Sequence, residues 1–385
     1  MLFPLKKRLV NWVDGMKISK KHLSQTEDYF MDIVRDAVNI RLNSYNYGLL
    51  PPYRGDKISS NFEIMERTTN HVEIELRRCN AITAGGCRID INPRDYTGYM
   101  KLDHVFANRE KNGKENLWDV ILIVHPFGRV PVGVPDPDET PPRHPYADKT
   151  YSLSITPSGQ INAEELGMHN LIIGRIIQTP GNRFEVDHRY IPPCMSMMSH
   201  PDLKEYYEVF GKYLNDIEVS SHKIIQKILE RDKPMNIAVN TQFMCEHILN
   251  YVVSIYFKYK NMGRNFSPVE ITDIFASFAH ICFITLNFIP KKKREEMLQY
   301  FYEWSDVTPG NFVDLLTNVL ESVYDHHNIR AGMERIDTLL SMLSSLLLKL
   351  SSLEYIGQHR ENVVVAVQNP KEEKVVSRSS WTILD

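Results

Sequence analysis

The chain has 385 residues, more than a single hydrophobic core usually serves, so at least two domains are expected. A net charge of −3 argues against nucleic acid as the main partner, because neutralising phosphates takes a basic surface. Cysteines 79, 87, 194, 245 and 282 are scattered without a closely spaced pair, which speaks against structural zinc and for reduced, buried thiols in a cytoplasm.

Residues 1–5 are too short for the apolar core of a signal peptide. Asn11-Trp12-Val13-Asp14-Gly15-Met16 reads as a compact turn carrying a tryptophan. Residues 21–46 then read as a helix. Phe30, Ile33, Val34, Ala37 and Val38 form one apolar stripe, with Asp28, Asp32, Arg35 and Asp36 beside or opposite it. Beyond Pro51-Pro52 the period falls to two. Val72, Ile74 and Leu76 alternate with Glu73, Glu75 and Arg77, and Ile89 and Ile91 alternate with Arg88 and Asp90. Further strands are expected at 99–102, 118–124, 151–155, 171–177 and 183–187, with turns at Gly85-Gly86 and Pro180-Gly181-Asn182. Short alternating strands with polar turns imply an antiparallel sandwich. The six prolines of 131–146 favour a pre-stiffened extended arm over a divalent-cation site at Asp136, Asp138 and His144.

Tandem prolines in Tyr190-Ile191-Pro192-Pro193-Cys194-Met195 remove two ladder donors and mark a rigid joint. After Pro201 the spacing turns helical. Leu203, Tyr207, Phe210, Leu214, Ile217, Ser221, Ile224 and Ile228 step by four and three, as do Ile336, Leu339, Leu343, Leu346, Leu350 and Leu353. Each is a 3.5-residue seam that either fills an intrachain bundle or pairs identical chains on a symmetry axis. Ser267-Pro268-Val269-Glu270 is a capping box, Thr308-Pro309 starts another helix, and Gly332 is a candidate break. The last long helix is expected over 333–356. Residues 271–289 form the longest apolar run, but Asp273, His280 and Asn287 inside it are costly in hydrocarbon, so a fully buried bundle helix is expected and no transmembrane segment. Lys291 to Arg294 reads as a solvated helix start. His326-His327 reads as an exposed helix-end pair whose rings point about 100° apart and cannot easily share a metal. Residues 363–367 and 381–384 suggest a small hairpin or interaction tail. No Walker loop, Gly-x-Gly-x-x-Gly, Gly-x-Ser-x-Gly or His-Glu-x-x-His occurs, so no catalytic residue, cofactor or metal site is assigned.

Trp12-Val13-Asp14-Gly15-Met16-Lys17-Ile18-Ser19-Lys20-Lys21-His22-Leu23-Ser24-Gln25 resembles the opening of the TssK family of type VI secretion baseplate proteins, W-x-E-G-M-x-L-x-P-Q-H-F-x-Q. Tyr47-Gly48 sits where that family has Tyr-x-x-Gly-Phe. Pro141-Pro142-Arg143-His144-Pro145-Tyr146 looks like its proline-rich loop, and Tyr190 to Met195 is similar to its Y-I-P-P-C-L signature. The resemblance implies an α+β chain with a β-sandwich shoulder and N-terminal helix at 1–195, a helical-bundle neck at 196–357 and a reduced head or tail at 358–385. It implies a homotrimer in the cytoplasm, peripheral to the inner membrane. Its shoulder would dock on a TssF–TssG-like wedge through Trp12, Asp14, Gly15, Met16 and His22, and its C-terminal end would reach the membrane complex. Ile191, Pro192, Pro193 and Cys194 would form the joint, and Leu203, Phe210, Ile217, Ile336, Leu343 and Leu350 the seams. The chain departs from the pattern in Lys20-Lys21, where the family has Pro-Gln, and in the expected loss of the head. The competing readings are a phage-like tail receptor-binding protein and a metal-dependent enzyme built on Asp136, Asp138 and His144, or on His326 and His327.

Overall fold

A computed structural model describes residues 5–92, 100–106, 117–160, 166–181, 183–305 and 307–360. The suggested hairpin at 363–367 and 381–384 and most of the 358–385 tail lie outside the described residues, as does Asn182. The described residues divide into two compact units. One comprises Met1–Pro201 with the short segment His326–Asn328, and the other comprises Asp202–Asp325 with Ile329–Asp385.

The first unit is an antiparallel sandwich behind one helix, α1 (Lys20–Asn39). In one sheet, β3 (His71–Ile82) is the hub. It pairs with β1 (Gly48–Leu49), β2 (Ser60–Thr68), β4 (Arg88–Ile91) and β5 (Met100–Val105). The other sheet runs β7 (Tyr146–Pro157), β6 (Leu117–Val132), β8 (Asn170–Gln178), β9 (Phe184–Val186). The two inner faces meet in an aromatic cluster. Phe106 stacks on Phe184 with centroids 4.1 Å apart, and Trp118 lies 4.6 Å from Phe106. Gly174 is part of the same fit, since a Cβ there would stand 2.3 Å from the Phe62 ring of the facing sheet. The 131–146 segment is the tip of the β6–β7 hairpin, with Val132 opposite Tyr146. On β3 the alternation predicted for a one-sided strand does not translate into one wet face, because Glu73 and Glu75 are buried as well as Val72, Ile74 and Leu76. Arg67 and Lys101 close over Glu73, giving its carboxylate the partners a buried charge needs.

The helix α1 is turned the opposite way from the usual amphipathic arrangement. Phe30 is 57 % exposed and Val34 63 %, whereas Asp28, Asp32, Arg35 and Asn39 are buried. It also ends seven residues before the expected 46, where Asn43 and Asn46 form side-chain-capped turns that compete with the helix.

The second unit is a bundle of α2 (Pro201–Leu229), α3 (Asn236–Met262), α4 (Pro268–Phe288), α5 (Lys291–Ser305), α6 (Pro309–Leu320) and α7 (Ile329–Ser352). Leu203, Phe210, Ile217, Ile336, Leu343 and Leu350 are all buried by the chain itself. Tyr207 and Tyr259 stack at 4.8 Å, and each hydroxyl donates to the other's carbonyl at 2.7 Å, so the two aromatic rings enter the core without an unpaired O–H. The Ser267–Glu270 capping box and the Thr308 cap form as the spacing predicts. Three expectations fail. Gly332 lies inside the first turn of α7 rather than breaking a helix. That helix begins at Ile329 and ends at Ser352, four residues early at each end. Finally, α4 is not fully buried: Phe275, Phe278, Cys282 and Leu286 face the core, but Ile284 and Phe288 are exposed. Asp273, His280 and Asn287 recur every seven residues on its exposed side, so its polar groups stay in water.

Candidate partner-binding site

The residues singled out near the N-terminus come together. Met16 N–H donates to Val13 O at 3.2 Å, closing a turn whose third residue, Gly15, has φ +78. That left-handed position suits glycine, and the Cβ of any other residue would add strain. Trp12 is half exposed, and its ring meets that of His22 edge-on at 6.1 Å. His22 Nδ1 lies 3.3 Å from the Ser19 hydroxyl at the start of α1. The turn therefore sets Trp12 against the first turn of the helix, with Asp14 and Gly15 exposed and Met16 half-buried beside it. Such an exposed aromatic, rimmed by charge, has the composition of an interface anchor.

Side-chain bonds anchor this segment to the sandwich. Lys6 and Lys7 backbone N–H groups donate to Asp32 Oδ2 at 2.6 and 2.9 Å, and Arg35 Nε donates to Asp32 Oδ1 at 2.9 Å. Burial pushes the Asp32 carboxyl up, but the bonds from Lys7, Arg35 and Lys6 outweigh it and hold the group below its ordinary range. Arg35 also donates to Gly85 O, and Arg129 reaches Asp28 at 2.7 Å.

The other candidates lie elsewhere. Ile191, Pro192, Pro193 and Cys194 are buried within the first unit. No strand runs through the prolines, but one isolated bridge forms beside them: Pro193 O accepts from Leu49 N at 2.7 Å and Met195 N donates to Leu49 O at 2.9 Å, using the carbonyl and the amide that the prolines leave available. His326 and His327 are not an exposed helix-end pair. His326 is buried and donates to Tyr47 O at 2.9 Å, and His327 bonds the Tyr47 hydroxyl at 3.0 Å. Nor do Asp136, Asp138 and His144 form a ligand set. Asp136 Oδ1 accepts the Asp138 backbone N–H, and His144 donates to Gly133 O. Among the described residues no group of three or more His, Cys, Asp and Glu could hold a metal ion.

The nearest thing to a catalytic pair is Cys87 Sγ, 3.3 Å from His169 Nδ1. Burial raises the thiol, while burial and then the charges of Lys6 and Arg35 lower the imidazole to about 4. Both groups are thus neutral at pH 7, without the thiolate that nucleophilic chemistry needs. The pair has a consequence for stability instead. His169 takes a proton at its ordinary 6.5 once unfolded but only near 4 when folded, so stability is full above about 6.5 and is lost as pH falls toward 4. Urea midpoints measured at pH 7 and 5 should drop less in His169→Asn than in the parent chain. An equal drop in both would mean that His169 titrates normally in the folded state.

No protein-family model matches the chain, and no curated protein does. Solved structures do. A TssK chain in the baseplate complex from the type VI secretion system aligns over 89% of this chain and 99% of its own, at 14% identity and a TM-score of 0.51. This chain has the TssK fold. A crystal structure of TssK (16% identity, TM-score 0.49) covers 87% of this chain and 69% of that one. The TssK–TssF–TssG baseplate subcomplex (12% identity, TM-score 0.45) covers 88% and 99%. The α+β order described above, sandwich first and helices after it, is consistent with that fold.

Proposed function

We propose that the chain is a structural subunit of a type VI secretion baseplate, a homotrimer that links a TssF–TssG-like wedge to a membrane-side complex and catalyses no reaction. The observation that carries this reading is the fold, which aligns with nearly the full length of a chain from the type VI baseplate complex. The exposed Trp12–His22 cluster supports it, because it lies in the stretch whose motif resembles the TssK opening. In the proposed division of labour, 1–195 is a shoulder that meets the wedge, 196–357 a neck, and 358–385 the connection toward the membrane on the cytoplasmic side. Ile191 to Cys194 stiffen the passage from shoulder to neck. Because both heptad seams are filled by the chain's own helices, residues such as Leu343 and Leu350 hold the neck together rather than a trimer axis.

The test is co-expression with the wedge subunits encoded beside the gene. The wedge should co-purify with the full chain, and light scattering should return three copies' mass. Trp12→Ala should leave the circular dichroism spectrum unchanged and weaken wedge binding about thirtyfold, as loss of an aromatic anchor worth about 2 kcal/mol does. A monomer at micromolar concentration with no wedge bound would remove the adaptor reading.

A further inference from the structure

The outward face of α1 is apolar, and the fold of the first unit does not bury it. Leu23, Phe30, Val34 and Val38 stand exposed along it, and Ile40 and Tyr45 continue the apolar surface past its end. Leu5, Leu9, Trp12, Val13 and Ile18 are also exposed in the preceding segment, so eleven exposed large apolar side chains fall between Leu5 and Tyr45. An exposed apolar stripe such as that of α1 marks an interaction site. It is not a loosely held helix that happens to face water. Asp28, Asp32, Arg35 and Asn39, spaced four, three and four, are buried on the opposite face, which Arg129 on Asp28 and the Arg35 bond to Gly85 O fasten to the sandwich.

The approach segment is strongly basic, while the helix stripe itself carries one exposed acid, Glu27, which pairs with Arg129. Residues 5–23 carry Lys6, Lys7, Arg8, Lys17, Lys20 and Lys21 against a single acid, Asp14. Arg8, Lys17, Lys20 and Lys21 are exposed, and among the described residues no ion pair holds them. A second copy seated on this face would bring the same cations with it, and juxtaposed like charges suppress that pairing. The complementary occupant carries the opposite rim.

We propose that α1 and its basic approach segment form a docking face for a heterologous protein helix. That helix presents apolar anchors at three- and four-residue spacing and is bordered by acidic side chains. The inference rests on the baseplate reading for which protein supplies the helix, a wedge subunit, and goes beyond it in naming the face and the partner's chemistry. Trp12 and His22 begin the surface, and Phe30 and Val34 form its centre.

Binding of the purified wedge to the full chain, measured at 50 and 500 mM NaCl, tests this. Three proteins are compared: the parent, Val34→Glu, and Lys20→Glu combined with Lys21→Glu. All the altered positions are exposed, so folding should survive, and circular dichroism checks that it does. Val34→Glu should weaken binding at least about tenfold at both salt concentrations. The double reversal should weaken it about tenfold at 50 mM and far less at 500 mM, where the interaction of exposed charges is screened. If the parent binds the wedge and both variants bind equally well, the docking face is wrong and the baseplate reading stands. A parent that binds no wedge overturns both. Loss of oligomer mass in Val34→Glu by light scattering would show that a second copy occupies the face, overturning the proposal. So would flotation of the parent, but not of Val34→Glu, with vesicles of phosphatidylcholine and phosphatidylglycerol at 3:1, which would show a lipid surface there.

Discussion

Asp32→Ala is expected to raise amide exchange across α1 about a hundredfold, the signature of losing some 3 kcal/mol of local stability. Asp32 is 1 % exposed and accepts three hydrogen bonds, from Lys6 N, Lys7 N and Arg35 Nε. Without it, Arg35 remains buried with the Gly85 carbonyl as its remaining hydrogen-bond acceptor, and breaking such a pair from one side leaves a charge uncompensated. The approach segment is released at the same time, because its two backbone donors lose their acceptor. Bundle amides in α2 and α7 should be unaffected, which separates local release of α1 from global unfolding. If α1 stays as protected as in the parent, its polar face does not hold it, and the outward apolar stripe has no fixed orientation to offer a partner.

That helix also shows where reading the sequence reaches its limit. Two stripes run along it at the same period, one apolar through Phe30 and Val34, one polar through Asp28, Asp32, Arg35 and Asn39. Local pattern alone turns the apolar stripe inward, because burying it is worth more than burying carboxylates. The choice is reversed by partners distant in the chain: Arg129, about a hundred positions from Asp28, and the backbone donors of Lys6 and Lys7. No local window contains them. The strand at Ile89 and Ile91 was legible because both are buried while Arg88 and Asp90 between them are not, so the period of two survives in the fold. The bundle was legible because Ser267 and Thr308 cap their own helices. The Trp12 cluster was legible only through its motif, as nothing in its hydropathy distinguishes it from any other turn. The burial of His326 was hidden because its acceptor, the Tyr47 carbonyl, lies 279 positions away.

Gly48→Ala should be the most damaging small substitution in the first unit. The glycine has φ +110, and a Cβ built on it would lie 2.0 Å from Pro193 O and 2.3 Å from Pro193 C. Two penalties coincide. A left-handed backbone costs a non-glycine residue about 1–2 kcal/mol, and the collision cannot be relieved by turning a side chain, since what it meets is backbone. That backbone has little room to retreat: Pro193 O is bonded to Leu49 N, Met195 N to Leu49 O, and the rings of Pro192 and Pro193 restrict their own φ. Gly55→Ala supplies the control. Gly55 has φ +94 with nothing within 4 Å of its would-be Cβ, so it carries the conformational penalty alone. Alanine at 55 should lower the unfolding free energy of the first unit by about 1–2 kcal/mol. Alanine at 48 should cost at least about 3 kcal/mol, the strain and the overpacking together, and reduce the yield of soluble protein. Equal losses at the two positions would mean that Pro193 gives way freely, and that the proline corner against β1 is not the rigid seat its hydrogen bonds describe.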